Sequence, residues 1–220
     1  MSSLAKTIFD PTLSDPVLPD VGLTKGGALQ LFQFFKDCPV FKWCHANNDC
    51  EDRANAISIL LDEWKLPNYK AWVFSGAFMG KDTGSLFNYW NYHVAAAIPV
   101  KENNSIVLYV IDPATSETLE TLEHWATMVT ENAYSHHLVK SGFTYIFPPG
   151  RIEKDNWYKR NRQNYKWTIQ GLSGINGVSP KGKAQLCFNK SRIKKTEQQL
   201  KSLARNKPEF LKEIELGFKI

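Results

Sequence analysis

With 220 residues, 43% of them hydrophobic and 13% aromatic, the chain carries enough apolar material for one domain core, which excludes a disordered segment. Four cysteines (38, 44, 50 and 187) in a chain this long exclude a disulfide scaffold, and no apolar run approaches the ~18 residues of a membrane-spanning helix. The net charge of +5 is uneven: residues 181–207 hold nine Lys/Arg against one acid, Glu197, a local +8, so the rest sums to −3.

Residues 1–27 are rich in Pro, Asp, Gly and Ser and read as an extended N-terminal arm. Broken by Asp10, Pro11, Asp15 and Pro16, this arm has no apolar stretch of the Sec type. The expectation is therefore a cytoplasmic location, or export by a route that needs no such signal. Ala28 to Phe35 is apolar and aromatic and predicts a helix ending near Cys38-Pro39, followed by a loop over 41–48. Asp49 is a good N-cap for a helix over 50–65, with Asp52 supporting the cap. Ala54, Ile57, Leu61 and Trp64 follow Cys50 at offsets of 4, 7, 11 and 14, which puts the thiol on the buried face of the first turn. Pro67 stops that helix.

The period then changes. Residues 70–74 and 89–100 predict strands, with a Gly-containing loop between them. In the second, Tyr92, Val94, Ala96 and Ile98 share one face, and Asn91, His93, Ala95 and Ala97 the other. Residues 101–104 predict a hairpin turn into a strand over 106–112, pairing about Ile98 with about Ile106. A helix over 119–132 and a strand over 143–147 complete an α+β pattern with an antiparallel sheet. Beyond Gly150 the signal weakens: residues 153–168 are basic and aromatic, 171–183 loop-like, and 193–204 helical.

A nucleophilic cysteine needs a base, a group that orients the base, and oxyanion donors. His93 is the best placed of the five histidines, because Ala95 and Ala97 on its face leave room for a helix such as the one bearing Cys50. The hairpin brings Asp112, at the end of the neighbouring strand, within carboxylate reach of that ring. The Cys50 backbone N–H and the side chains of Asn47 or Asn48 are candidate oxyanion donors. The residues alone leave the ordinary alternatives open: a small buried thiol, a structural histidine and a strand-ending Asp-Pro. Asp49, Glu51 and Asp52 oppose a thiolate at Cys50, so the scheme requires an imidazolium beside it and carboxylates turned to solvent.

Three blocks, Asp49-Cys50-Glu51-Asp52-Arg53-Ala54, Trp90-Asn91-Tyr92-His93-Val94-Ala95 and Val110-Ile111-Asp112-Pro113, resemble those of bacterial protein-glutaminases (protein-glutamine deamidases). Order and separation agree, with 43 residues from Cys50 to His93 and 19 from there to Asp112. The resemblance covers roughly residues 40–135 and implies a papain- and transglutaminase-like fold, the nucleophile standing at the N-terminus of a helix packed on the sheet. It further implies Cys50 as nucleophile, His93 as base and acid, and Asp112 as the orienting group, with a catalytic domain over 28–150. Asn55 departs from the histidine expected there, and the basic extension over 151–220, packed on or following that domain, lies outside the resemblance.

The implied reaction converts protein or peptide glutamine to glutamate plus ammonia through a thioester, with no cofactor. Transglutaminase or cysteine-peptidase chemistry could use the same three residues. A different class is a basic module in which 181–207 and Trp157 to Arg162 hold an acidic partner. Nucleic acid is not the expected partner, since a charge run alone carries little specificity. No metal site is expected either: Cys38, Cys44 and Cys50 lack zinc spacing, and His45, His124, His136 and His137 have no ligand cluster.

Overall fold

The computed structural model describes residues 18–43, 50–75, 86, 90, 92–130, 136–141, 157–175 and 182–211. In chain order these form β1 (Leu23–Thr24), α1 (Lys25–Asp37), α2 (Cys50–Glu63), β2 (Tyr69–Phe74), β3 (Tyr92–Glu102), β4 (Ser105–Ile111), β5 (Glu120–Thr121), α3 (Leu122–Val129), β6 (His136–Ser141), α4 (Trp157–Leu172) and α5 (Lys183–Arg205). The fold is mixed α+β. The expected strand over 143–147, the Asp49 cap and most of the loop after Ser75 lie outside the described residues.

The sheet is built on β3. Its antiparallel path runs β5-β4-β3-β2-β6, while β1 pairs parallel to β3 at Val100 and Lys101, beyond the end of β2. That parallel strand was not expected. Gly22 admits it: a Cβ there would stand 2.8 Å from the Pro99 carbonyl oxygen.

The β3–β4 register differs from the expected one by three residues: Ile98 pairs with Tyr109, and Ile106 with Lys101. Pairing of Glu102 with Ser105 leaves only Asn103 and Asn104 in the turn. Asn103 takes φ 51°, a conformation asparagine tolerates, so the turn closes tighter than the Lys101-Glu102-Asn103-Asn104 stretch suggests.

Strand alternation sorts the two sides of the sheet. Ala96, Ile98, Val100, Tyr109 and Ile111 face α1 and α2, against Leu31, Phe32, Phe35, Ile57 and Leu60. Ala95, Ala97, Ala71, Val73 and Val110 face α3, against Trp125, Ala126 and Val129. The expectation that the Cys50 helix covers the face of His93, Ala95 and Ala97 is therefore corrected. The helix there is α3, and the small alanines admit Trp125, which is completely buried. The larger aliphatics of the opposite face suit the two longer helices.

Although Ala54, Ile57, Leu61 and Trp64 form the expected inward stripe, α2 is buried around most of its circumference. Ile169 and Leu172 of α4, Leu200 of α5, and Leu211 close over its outer side. Helix α4 occupies the basic, aromatic stretch, and α5 starts ten residues before the expected 193. Its first turns, Lys183 to Phe188, are exposed on every face, so no inward stripe announces them. No described helix is long and apolar enough to cross a membrane.

A lysine is enclosed in this core. Lys70 of β2 is completely buried; its Nζ donates to Asn55 Oδ1 at 2.8 Å, and Asn55 Nδ2 donates to Thr168 Oγ1 at 2.7 Å. The chain thereby ties β2, α2 and α4 together. Burial lowers the Lys70 pKa to about 7, with the Asp62 charge opposing the shift. The unfolded chain holds this proton up to about 10, so stability rises with pH between those limits and is flat below them. Thermal unfolding from pH 6 to 9.5 is expected to show a melting temperature that climbs above pH 7 more steeply in the wild type than in Lys70→Met.

Candidate active site

Strand β4 ends at Ile111, paired with Ala96, so the ladder between β3 and β4 stops there and leaves residues 92–95 of β3 without a β4 partner. Pro113 follows Asp112 and cannot donate to a ladder, which fits the stop. Asp112 lies one residue past the strand, on the face of Ala95, diagonal to His93. His93 Nε2 and Asp112 Oδ2 are 2.8 Å apart, both side chains almost completely buried. The pairing thus reaches its target through the diagonal rather than the directly opposite position that the expected register implied.

The carboxylate is held from several sides. Trp125 Nε1 donates to Asp112 Oδ2 at 2.9 Å, the Thr115 hydroxyl donates to the same oxygen, and the Thr115 and Ser116 amides donate to the Asp112 carbonyl. Burial by itself would raise the Asp112 pKa; the His93 charge and the bonds from His93, Thr115 and Trp125 outweigh it and hold the carboxyl below its usual range. With Nε2 bound to a carboxylate, its proton is assigned there, leaving Nδ1 as the nitrogen for other chemistry. Trp90 stacks on the imidazole with ring centres 4.5 Å apart, and Trp125 lies at 5.9 Å. The ring is fixed in plane and direction.

Cys50 begins α2 and lines one narrow cleft together with His93, Asp112, Trp43, Arg53 and Val94. It approaches from the other side of the sheet, at the stretch of β3 that β4 has left. A hydrogen bond from the Val94 backbone favours the thiolate. Its side-chain partner is Glu51: Cys50 Sγ donates to Glu51 Oε2 at 3.3 Å, and the Tyr92 hydroxyl donates to Glu51 Oε1. Burial, then the Glu51 charge, push the thiol well above its ordinary pKa, so it is held protonated in this arrangement. Carboxylates turned to solvent were expected around Cys50. Instead Glu51 is engaged by the thiol and the phenol, and Asp52 is buried. Asn47 and Asn48 lie outside the described residues.

Sequence reasoning brought Cys50, His93 and Asp112 forward but missed the roles of Thr115, Trp125 and Tyr92. Thr115 had a local signal, a hydroxyl three residues after an aspartate in a turn. Trp125, 13 residues on in a separate helix, had none. Among the described residues no group of His, Cys, Asp and Glu could hold a metal ion.

The geometry defines a class first: an α+β protein with a helix-initiating thiol and a carboxylate-bound imidazole in one cleft. The family model described as glutaminase matches residues 28–129, a segment that contains all three groups. Glutamine deamidation by an amidohydrolase is the general activity the match supports. No curated protein and no solved structure matches the chain.

Two outcomes are expected. Asp112→Asn keeps the side chain's shape but loses the charge and favours the wrong imidazole tautomer, so the rate of any His93-dependent reaction should fall about 10³–10⁴-fold. Glu51→Gln should move alkylation of Cys50 to lower pH, read by mass spectrometry of the Cys50 peptide across a pH series. An unmoved profile would show that Glu51 does not hold the thiol proton.

Proposed function

We propose that the protein deamidates glutamine side chains within proteins or peptides, with Cys50 as nucleophile, His93 as base and acid, and Asp112 as the group that orients and stabilises the imidazole. The observation that carries this reading is the buried 2.8 Å His93–Asp112 pair facing the cleft that Cys50 also lines. A buried imidazole with one nitrogen committed to a carboxylate is suited to taking a thiol proton on the other.

The chemistry follows in two halves. Entry of the substrate displaces Glu51 from the thiol, His93 Nδ1 takes the proton, and Sγ attacks the carboxamide carbon. The amide nitrogen receives that proton and leaves as ammonia, so a C–N bond is exchanged for C–S. Water then attacks the thioester, its proton passing to His93 and on to the departing thiol, which leaves glutamate. The Cys50 backbone N–H, in the first turn of a helix, where amides have no acceptor within the helix itself, is the natural donor to the oxyanion. Tyr92, with its pKa raised by burial and then by Glu51, keeps its proton and can retain Glu51 once the thiol has let go.

Ammonia release from casein should be measured for wild type and Cys50→Ala, with mass spectrometry of the product. A gain of about one dalton per modified glutamine, absent in the variant, is the expected result, as amide-to-acid exchange through an acyl-enzyme requires. Equal ammonia from both proteins would end the proposal. Incorporation of a labelled primary amine in place of hydrolysis would turn the assignment to transglutamination by the same thioester.

A further inference from the structure

Arg53 lines both the cleft of Cys50 and a second, wider one. Lys42, Arg53 and Arg192 line it over Phe41, Leu172 and Gly174, in about 730 Å³ counted to its open mouth. Three cations and, among the described lining residues, no carboxylate make this a positive recess. Arg53 belongs to both clefts and follows Cys50 by three residues, one helical turn of about 5 Å.

Each cation is held in place. The Arg53 guanidinium sits 5.6 Å from the Trp43 ring centre, with the residue 4% exposed. Lys42, at φ 49°, donates from Nζ to the Leu172 carbonyl at 2.8 Å and so caps the end of α4. Arg192, projecting from α5, lies 5.6 Å from the Phe188 ring centre and remains partly exposed. Gly174, at φ 66°, makes the turn after α4, and a Cβ there would come 3.1 Å from Arg192 Nη2, so the glycine also leaves the guanidinium its space. Guanidinium groups present a planar fork that matches a carboxylate, and a recess that has Arg53 in common with the thiol's cleft is where residues flanking a bound glutamine would run.

We propose that this recess is a substrate subsite for the carboxylate of an aspartate or glutamate side chain lying a few residues from the target glutamine, with Arg192 as its ligand. The inference rests on the deamidation reading and supplies its sequence preference. An extended chain covers about 13 Å in four residues, and the acidic residue is sought within that reach of the glutamine.

The test uses acetylated and amidated peptides with one glutamine and, at successive positions up to four away, Glu, Ala or Lys. At the favoured position Glu should raise kcat/KM about tenfold over Ala, chiefly through KM, and the gain should shrink with salt, as an ion pair at a partly open site does. In Arg192→Gln that preference should collapse, and in Arg192→Glu it should swing to the Lys peptide, a reversal that a purely structural arginine would not give. Equal rates on Glu and Ala peptides at every position, or an unchanged preference in both Arg192 variants, would overturn the subsite while leaving deamidation standing. A gain only from peptides with a free C-terminus would also overturn it, by assigning the recess to an α-carboxylate. Calorimetric binding to Cys50→Ala separates the two ideas: if no peptide is deamidated yet the Glu peptide binds selectively and Arg192→Gln abolishes that selectivity, the recess holds and the deamidation reading falls.

Discussion

A buried carboxylate sets the terms for the centre of this molecule. Asp112 has no solvent to satisfy it, so stable burial demands donors, and they come from three places: His93 on β3, Thr115 in the turn that follows, and Trp125 on α3. The same convergence that satisfies Asp112 docks α3 on the sheet and aims the imidazole. Removing the charge would leave a tryptophan N–H, a hydroxyl and an imidazole competing for a weaker partner. Stability and site geometry share one set of bonds.

The second constraint is where β4 stops. Had the β3–β4 ladder continued past Ala96 and Ile111, the edge of β3 at residues 92–95 would be occupied by another strand. Because it stops, the first turn of α2 can bring Cys50 to Val94 while His93 and Asp112 occupy the opposite face. The thiol and the imidazole thus come from helices and strands of two different layers, meeting at a gap in the ladder. Glu51, itself held by the Tyr92 hydroxyl, then engages the thiol at rest, and the raised thiol pKa is the expected consequence of burial beside an acceptor carboxylate.

Enclosure of α2 links the site to the C-terminal helices. A helix with sheet on one side and α4 and α5 on the other must bury polar residues too, and Arg53, Asn55 and Ser58 are nearly inaccessible. Asn55 accepts from Lys70 and donates to Thr168, which gives two buried amide atoms partners without water. Arg53, on the same helix, instead lines the two clefts. The departure at Asn55 from the histidine expected of the family is thereby matched to its surroundings, since a buried lysine and threonine ask for an acceptor and a donor on one short side chain.

Sequence alone determined the elements whose signals are local. The 3.6 period after Cys50, the alternation through β3 and the Asp112-Pro113 terminus were each written within a few residues, and three blocks in order were enough to bring Cys50, His93 and Asp112 forward. Register, facing and charge state were decided by tertiary structure. A two-residue turn moved the β3–β4 register by three, because turn tightness depends on one asparagine adopting positive φ. Which helix covers which face of the sheet depends on side-chain volumes summed across layers, so α3 with Trp125, and not α2, lies over His93. The exposed start of α5 has no inward stripe to read, and the partnership of Glu51 with Cys50 and Tyr92 requires side chains 41 residues apart to meet. Period and capping act between neighbours along the chain; pairing, burial and proton affinity belong to neighbours in space.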